Sequence, residues 1–261
     1  MRLAVCEVPA AMLAGDAGWN HLVRQCETIS PDLLLLNEMP FGPWISVGEK
    51  REAEILKASQ QQHNEGIDHL NVLSAYAVLG TYPRCEGSLS LNQAFVWTPL
   101  EGLKAVHTKQ FFPNEGGFYE ARWFERGEQR FEIADVLGVR TGFLICTDVM
   151  FNEWARYYGR NGAHLITVPR ATPVGSESRW KTMCSAAATV SGCYVASSNR
   201  TGIDDSGMEF AGKGWIFSPF GEIIAETSPE NPVVSADLDL SLVEQAQGEY
   251  PCYVEELPPV G

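Results

Sequence analysis

Two stretches without a single polar side chain constrain the fold more than anything else in this sequence. Residues 33–36 are Leu-Leu-Leu-Leu and stop at Asn37-Glu38, and residues 142–145 are Gly-Phe-Leu-Ile and stop at Cys146-Thr147-Asp148. A short apolar run bounded by turn signals reads as a strand buried on both faces, which requires layers on each side of its sheet. Functional groups in open α/β sheets collect just beyond such strands' carboxyl ends. Glu38 and Cys146 both stand there, Cys146 as a candidate nucleophile. Each has an ordinary alternative: a free cysteine commonly packs as a small hydrophobe, and a carboxylate at a strand end is commonly just solvated.

In chain order, residues 2–8 read as a strand, followed after Gly15 by a helix with Asp16 as N-cap and Trp19, Leu22, Val23 and Cys26 on one face. A long helical pattern over residues 49–75, with a candidate break near Gly66, precedes strands at 75–81, 90–97 and 103–107, whose short connections suggest antiparallel pairing. The last of these delivers Lys109. The following loop, 110–129, carries six aromatic residues and the acids Glu115 and Glu120, and a connection of that length usually has a function. Strands at 130–136 and 138–145, a helix at 151–158, a strand at 165–168, a small-residue helix at 180–190 and further strands at 193–197, 214–217, 222–225 and 233–237 complete the pattern. Strand–helix alternations flanking antiparallel stretches predict an α/β protein, a four-layer αββα sandwich over residues 1–245 with an extended tail at 246–261.

Charge and cysteine usage narrow the partners. A net charge of −14 repels nucleic acid and anionic membrane surfaces, and no apolar run approaches a bilayer-spanning length. Glu7 and Pro9 interrupt the apolar start too early for a signal peptide. Seven scattered cysteines fit reduced thiols in the cytoplasm, and the five histidines form no metal-ligand spacing, so neither metal nor cofactor is expected.

A carboxylate at 38, an ammonium at 109 and a thiol at 146 can together make a hydrolytic site. The thiolate is the nucleophile, Glu38 can take its proton, and Lys109 with the Thr147 N–H can hold an oxyanion. A cysteine–histidine pair using His107 or His164 is an alternative. Arg170, just past a strand, could grip a substrate carboxylate with its fork, or serve as a surface or structural group. Glu153 and Arg156 read as anchors of the helix after Cys146.

These blocks resemble the carbon-nitrogen hydrolase, or nitrilase, superfamily: residues 35–41 around Glu38, Thr108-Lys109 with Pro113 following, and residues 142–148 through Glu153-Trp154-Ala155-Arg156. Residues 162–166, 180–183 and 198–200 resemble it too, so the likeness runs from residue 2 to about 240. The resemblance implies an αββα sandwich, a Glu38-Lys109-Cys146 triad, and a second glutamate near the lysine, assigned to Glu120 in preference to Glu115. It also implies at least a homodimer built around the segment after Cys146, with the tail crossing a surface or a partner. Asn37 departs from the usual proline and Thr147 from the usual Trp or Tyr, which alters the pocket wall. Asp148 matches amidases and carbamoylases better than nitrilases. The expected activity is therefore thiol-dependent cleavage of a small amide or N-carbamoyl compound; a nitrile substrate and a catalytically silent scaffold are the alternatives.

Overall fold

The computed structural model describes residues 1–128 and 130–257, so Gln129 of the aromatic loop and the last four tail residues lie outside the described residues. The first half builds one sheet from β1 (Arg2–Pro9), β2 (Leu33–Leu35), β3 (Ala77–Glu86), β4 (Leu89–Thr98) and β5 (Gly102–Thr108), in the order β5-β4-β3-β2-β1. β1, β2 and β3 run parallel, whereas β3–β4 and β4–β5 are antiparallel hairpins. The crossovers are α1 (Ala17–Ile29) and α2 (Ala53–Asp68). Asp16 caps α1 by accepting from the Trp19 N–H at 2.7 Å, as expected. α2 ends at Asp68, earlier than its sequence pattern suggests, and a single 3-10 turn at Leu70–Val72 carries the chain into β3.

The second half repeats this plan. β6 (Ala134–Val136), β7 (Val139–Phe143), β8 (Leu165–Pro169), β9 (Tyr194–Ile203), β11 (Trp215–Phe217) and β12 (Ile223–Glu226) pair in chain order, with β7, β8 and β9 parallel. β10 (Glu209–Ala211) extends β9, and β13 (Val233–Asp237) returns to pair with β1. α4 (Asn152–Arg160) and α5 (Glu177–Ser191) are the crossovers. The two sheets touch at one corner, where Glu7–Pro9 of β1 pairs with Asn199–Thr201 of β9.

Alternation along each strand makes the layers. Leu3, Val5, Leu33, Leu35 and Leu79 face inward toward Phe143, Leu165 and Ala196 of the other sheet, while Ala4, Cys6, Leu34, Leu36 and Val78 face α1 and α2. Tyr158, Cys184 and Ala187 from α4 and α5 cover the second sheet's outer face. The result is the expected αββα sandwich.

The expected strand at 130–136 shortens to Ala134–Val136. α6 (Leu240–Gly248), absent from the sequence reading, runs across the expected 245/246 boundary: Asp239 caps it, and Val243 and Ala246 bury one face. Beyond it the tail lies along its own α4 and α5. Arg156 donates to the Val254 and Pro251 carbonyls and pairs with Glu256. Arg156 thus anchors the tail to α4.

Candidate active site

Each candidate reacting group sits where a strand leaves its sheet. Glu38 lies three residues beyond β2, Lys109 follows β5 directly, and Cys146 opens a 3-10 turn, Cys146–Met150, just after β7. Two left-handed residues turn the chain at these exits: Met39 with φ of 45° and Cys146 itself with φ of 47°. A non-glycine residue pays strain for that conformation, and such strain concentrates at functional sites. At Cys146 it lifts the thiol out of the strand and leaves the turn's leading N–H groups, Thr147's among them, without intrahelical acceptors.

The charged side chains converge in a sealed interior. Lys109 Nζ lies 2.8 Å from Glu38 Oε1 and 2.6 Å from Glu120 Oε2, and all three are essentially inaccessible to solvent. Asn92 Nδ2 donates to the same Glu38 Oε1 at 2.7 Å. Glu38 Oε2 is buried with no protein donor. One oxygen of the carboxylate is thus fixed in place and the other is left without a partner. Glu120, the first residue of the short helix α3 (Glu120–Trp123), is the acid on the lysine; Glu115 is exposed at the cavity rim.

Burial sets the resting protonation. It pushes the Cys146 thiol well above its usual range, reinforced by the Glu38 and Glu120 carboxylates and opposed by Lys109 and the Ala171 N–H. Burial likewise raises Glu120 above the usual carboxylate range, against the pull of Lys109. For Lys109, burial alone would favour the neutral amine, but Glu120 and Glu38 outweigh it and hold the ammonium above its ordinary value. Cys146 therefore rests as a thiol beside a fixed cation, and to serve as a nucleophile it would need a base to take its proton.

A cavity of about 230 Å³ opens onto Cys146, lined also by Thr147, Phe118, Glu120, Thr172, Trp180 and Arg179. Arg170 does not line it. Its buried guanidinium donates to Ser197 Oγ at 2.6 Å, Thr172 Oγ1 at 2.9 Å and the Lys213 carbonyl, and stacks 4.2 Å from the Trp215 ring. A fork so engaged braces the cavity floor through Thr172. The arginine on the wall is Arg179 in the first turn of α5, exposed and without a carboxylate within 4 Å among the described residues. His107 bonds Asp148 and the Arg130 carbonyl, and His164 accepts from the Arg140 N–H, so neither is hydrogen-bonded to Cys146.

Asn92, Ala171 and Arg179 are absent from the sequence reading. Only Asn92 leaves a trace there: a buried amide inside the apolar strand β4. Arg200, likewise, is a buried hub. It donates to the carbonyls of Glu38, Met39, Ala10 and Gly42, and so holds the turn after β2 in one shape.

The profile of the carbon-nitrogen hydrolase family matches residues 19–247, nearly the whole sandwich. The chain belongs to the carbon-nitrogen hydrolase family. Among curated relatives, it is 33% identical over 116 residues to the 2-oxoglutaramate amidase of Bacillus subtilis, covering 44% of each protein. It is 30% identical over 178 residues to a chloroplastic omega-amidase of Arabidopsis thaliana, covering 66% of this chain and 48% of the relative. The matches to these two relatives thus span about half of their length. A human omega-amidase is 25% identical over 261 residues, covering 97% of this chain and 93% of that one. In fold, the chain is similar to a carbon-nitrogen hydrolase from Helicobacter pylori, with a TM-score of 0.83 at 20% identity over 97% of this chain and 94% of that one. A mutant of the Nesterenkonia sp. AN1 amidase, carrying the acetamide moiety of fluoroacetamide on its active-site cysteine, superimposes with a TM-score of 0.75 at 22% identity, covering 94% of this chain and 92% of that one.

Proposed function

We propose that this hydrolase cleaves the carbon–nitrogen bond of a small amide that carries a carboxylate at its far end, with N-carbamoyl acids as chemically equivalent candidates. The observation that carries the chemistry is the divided Glu38 carboxylate: Oε1 is held by Lys109 and Asn92, while Oε2 has no partner in a sealed site beside Cys146. Cys146 Sγ attacks the carbonyl carbon as its proton passes to Glu38, and Lys109 and the Thr147 N–H receive the developing oxyanion. Glu38 returns the proton to the nitrogen as the C–N bond breaks, ammonia or an amine departs, and an acyl thioester remains on Cys146. Water, deprotonated by Glu38, then releases the acid and regenerates the thiol. Glu120 holds Lys109 throughout.

The substrate class is supported by three features: a cavity too small for a drug-sized ligand, which needs roughly 300 Å³ or more; the unpaired Arg179 on its wall; and the amidase names of the relatives. Mass spectrometry of protein quenched during turnover of succinamic acid should find an acyl adduct on Cys146 and none in Cys146→Ala. Full turnover by Cys146→Ala would end the proposal. We also propose that the protein works in a reducing cytoplasm as a homo-oligomer. Seven unpaired thiols support the first, and the half-exposed Phe151 and Tyr157 on and beside α4 support the second; light scattering on the purified chain tests the assembly.

A further inference from the structure

His107 takes no direct part in the chemistry, yet its surroundings decide its charge. The ring is fully buried on β5, two residues before Lys109, and packs 5.1 Å from the Phe131 ring. Nε2 lies 3.0 Å from Asp148 Oδ2 and Nδ1 lies 3.2 Å from the Arg130 carbonyl oxygen. A carbonyl only accepts, so Nδ1 carries a proton. Asp148 also accepts from three backbone N–H groups: Gln110 at 3.1 Å, Phe111 at 3.0 Å and Ile145 at 3.0 Å. That many donors select the ionised carboxylate, which leaves Nε2 protonated as well. His63 is the contrast: it donates from Nδ1 to the Ser59 carbonyl and accepts at Nε2 from the Phe41 N–H, the pattern of a neutral ring.

The Asp148 carboxylate bridges two catalytic exits. Gln110 and Phe111 are the residues immediately after Lys109, and Ile145 immediately precedes Cys146. We propose that His107 is a positioning residue whose two ring N–H groups lock Asp148 as the clasp between the lysine strand and the nucleophile turn. It supplies the counter-charge that lets a buried carboxylate sit beside the catalytic acids. Asp148 contributes to raising Glu120, so an uncompensated Asp148 would disturb the catalytic carboxylates as well as the geometry. The other charged or titratable groups around the pair are Lys109 and Glu120 on the catalytic side and Tyr158 on α4; Arg130 presents only its carbonyl, its side chain pairing with Glu128 and Glu132.

This inference rests on the amidase reading, so the experiment has one arm that does not involve activity. In the intact wild-type protein at pH 7.5, ¹⁵N–¹H spectra of the histidine rings should assign a proton to both nitrogens of His107; an unprotonated nitrogen would overturn the proposal. In the second arm, His107→Gln keeps a donor for Asp148 but removes the charge. It should lower kcat about tenfold with KM nearly unchanged and move the acidic limb of the kcat/KM profile to higher pH. His107→Phe, which keeps only the ring packing, should lose about 100-fold, the order expected when a charge-assisted hydrogen bond is removed. Wild-type kcat and pH profile in His107→Gln would equally overturn it. If wild type is inactive on every amide, the proposed function fails while the spectra still decide the charge of His107; if a variant does not fold, the spectra decide alone.

Discussion

Lys109 and Glu120 meet at 2.6 Å with neither side chain reaching solvent, so the ammonium is held as tightly by its second carboxylate as by the presumptive base Glu38 at 2.8 Å. Glu120→Gln retains a neutral acceptor and should preserve the fold, but it removes half of the charge that keeps Lys109 ionised. Steady-state assays should show kcat reduced by about 100-fold, with KM changing much less, because the loss falls on oxyanion stabilisation. Lys109→Met goes further. It leaves two buried carboxylates facing each other, and denaturant unfolding should register a loss of about 3–5 kcal/mol, the usual consequence of orphaning a buried ion-pair partner.

Arg179 makes the substrate class testable. It lines the cavity with Cys146 and is exposed, with no carboxylate within 4 Å among the described residues. Arg179→Ala should raise KM for succinamic acid by about 10- to 100-fold, the worth of a charge-assisted hydrogen bond, and leave KM for propionamide as it was. An equal effect on both amides would assign Arg179 to the shape of the wall.

Much of this arrangement was legible because the strands that carry it are so apolar. A thiol or a carboxylate that ends such a run has few places to be except the rim of a buried sheet, which marks Cys146 and Glu38 as candidates; Lys109 follows the largely exposed β5 and is marked only by its place beyond a strand end. The choice of Glu120 over Glu115 came only from resemblance, since both lie in one aromatic loop. α3, which presents Glu120, is four residues long, too short for any periodicity to reveal it. For Arg170 the sequence leaves a substrate grip and a structural role open for a related reason, and the structure shows the second. An arginine just past a strand looks ready for substrate, but the direction of its side chain depends on Trp215 and Ser197, which arrive from β11 and β9. Contacts made by distant segments leave no local pattern: Arg179 is invisible on that ground, and Asn92 shows only as an amide inside an apolar strand.

His63 links acid stability to the catalytic turn. Burial pushes its imidazole down to about 4, and its neutral Nε2 accepts the Phe41 N–H at 3.3 Å, three residues beyond Glu38. Because the folded-state value lies below the unfolded one, the unfolded chain binds a proton first as pH falls. The stability is present above about pH 6.5 and declines from there toward pH 4, by up to about 3 kcal/mol. Chemical denaturation at pH 7.5 and pH 5 should show this loss. His63→Gln, which cannot titrate, should begin less stable at pH 7.5 but decline less over the same interval; an identical slope would remove His63 as the cause.

Gly159 marks where the nucleophile's helix is pressed against its neighbour. A Cβ there would stand 2.1 Å from the Ser191 carbonyl oxygen at the end of α5, a distance no relaxed side chain tolerates, and the obstacle is backbone. At the adjacent residue of α4 the closeness is repeated, since a Cβ on Gly142 of β7 would meet the Tyr158 ring at 2.6 Å, and the Tyr158 hydroxyl donates to the Phe143 carbonyl at 3.1 Å. α4 is thus wedged between α5 and the strand that ends at Cys146. Gly159→Ala must part the two helices, which should cost about 1–3 kcal/mol and lower Tm by roughly 3–10 °C in a chain of this size. The displacement passes through Tyr158 to the nucleophile turn, so kcat should fall at temperatures where the variant is fully folded. Gly248→Ala, at the end of α6 with nothing within 4 Å of the added methyl, is the matched control and should leave both Tm and kcat near wild type. If Gly159→Ala lost stability but kept wild-type kcat, the helix contact would be structural alone and the route from α4 to Cys146 would be refuted.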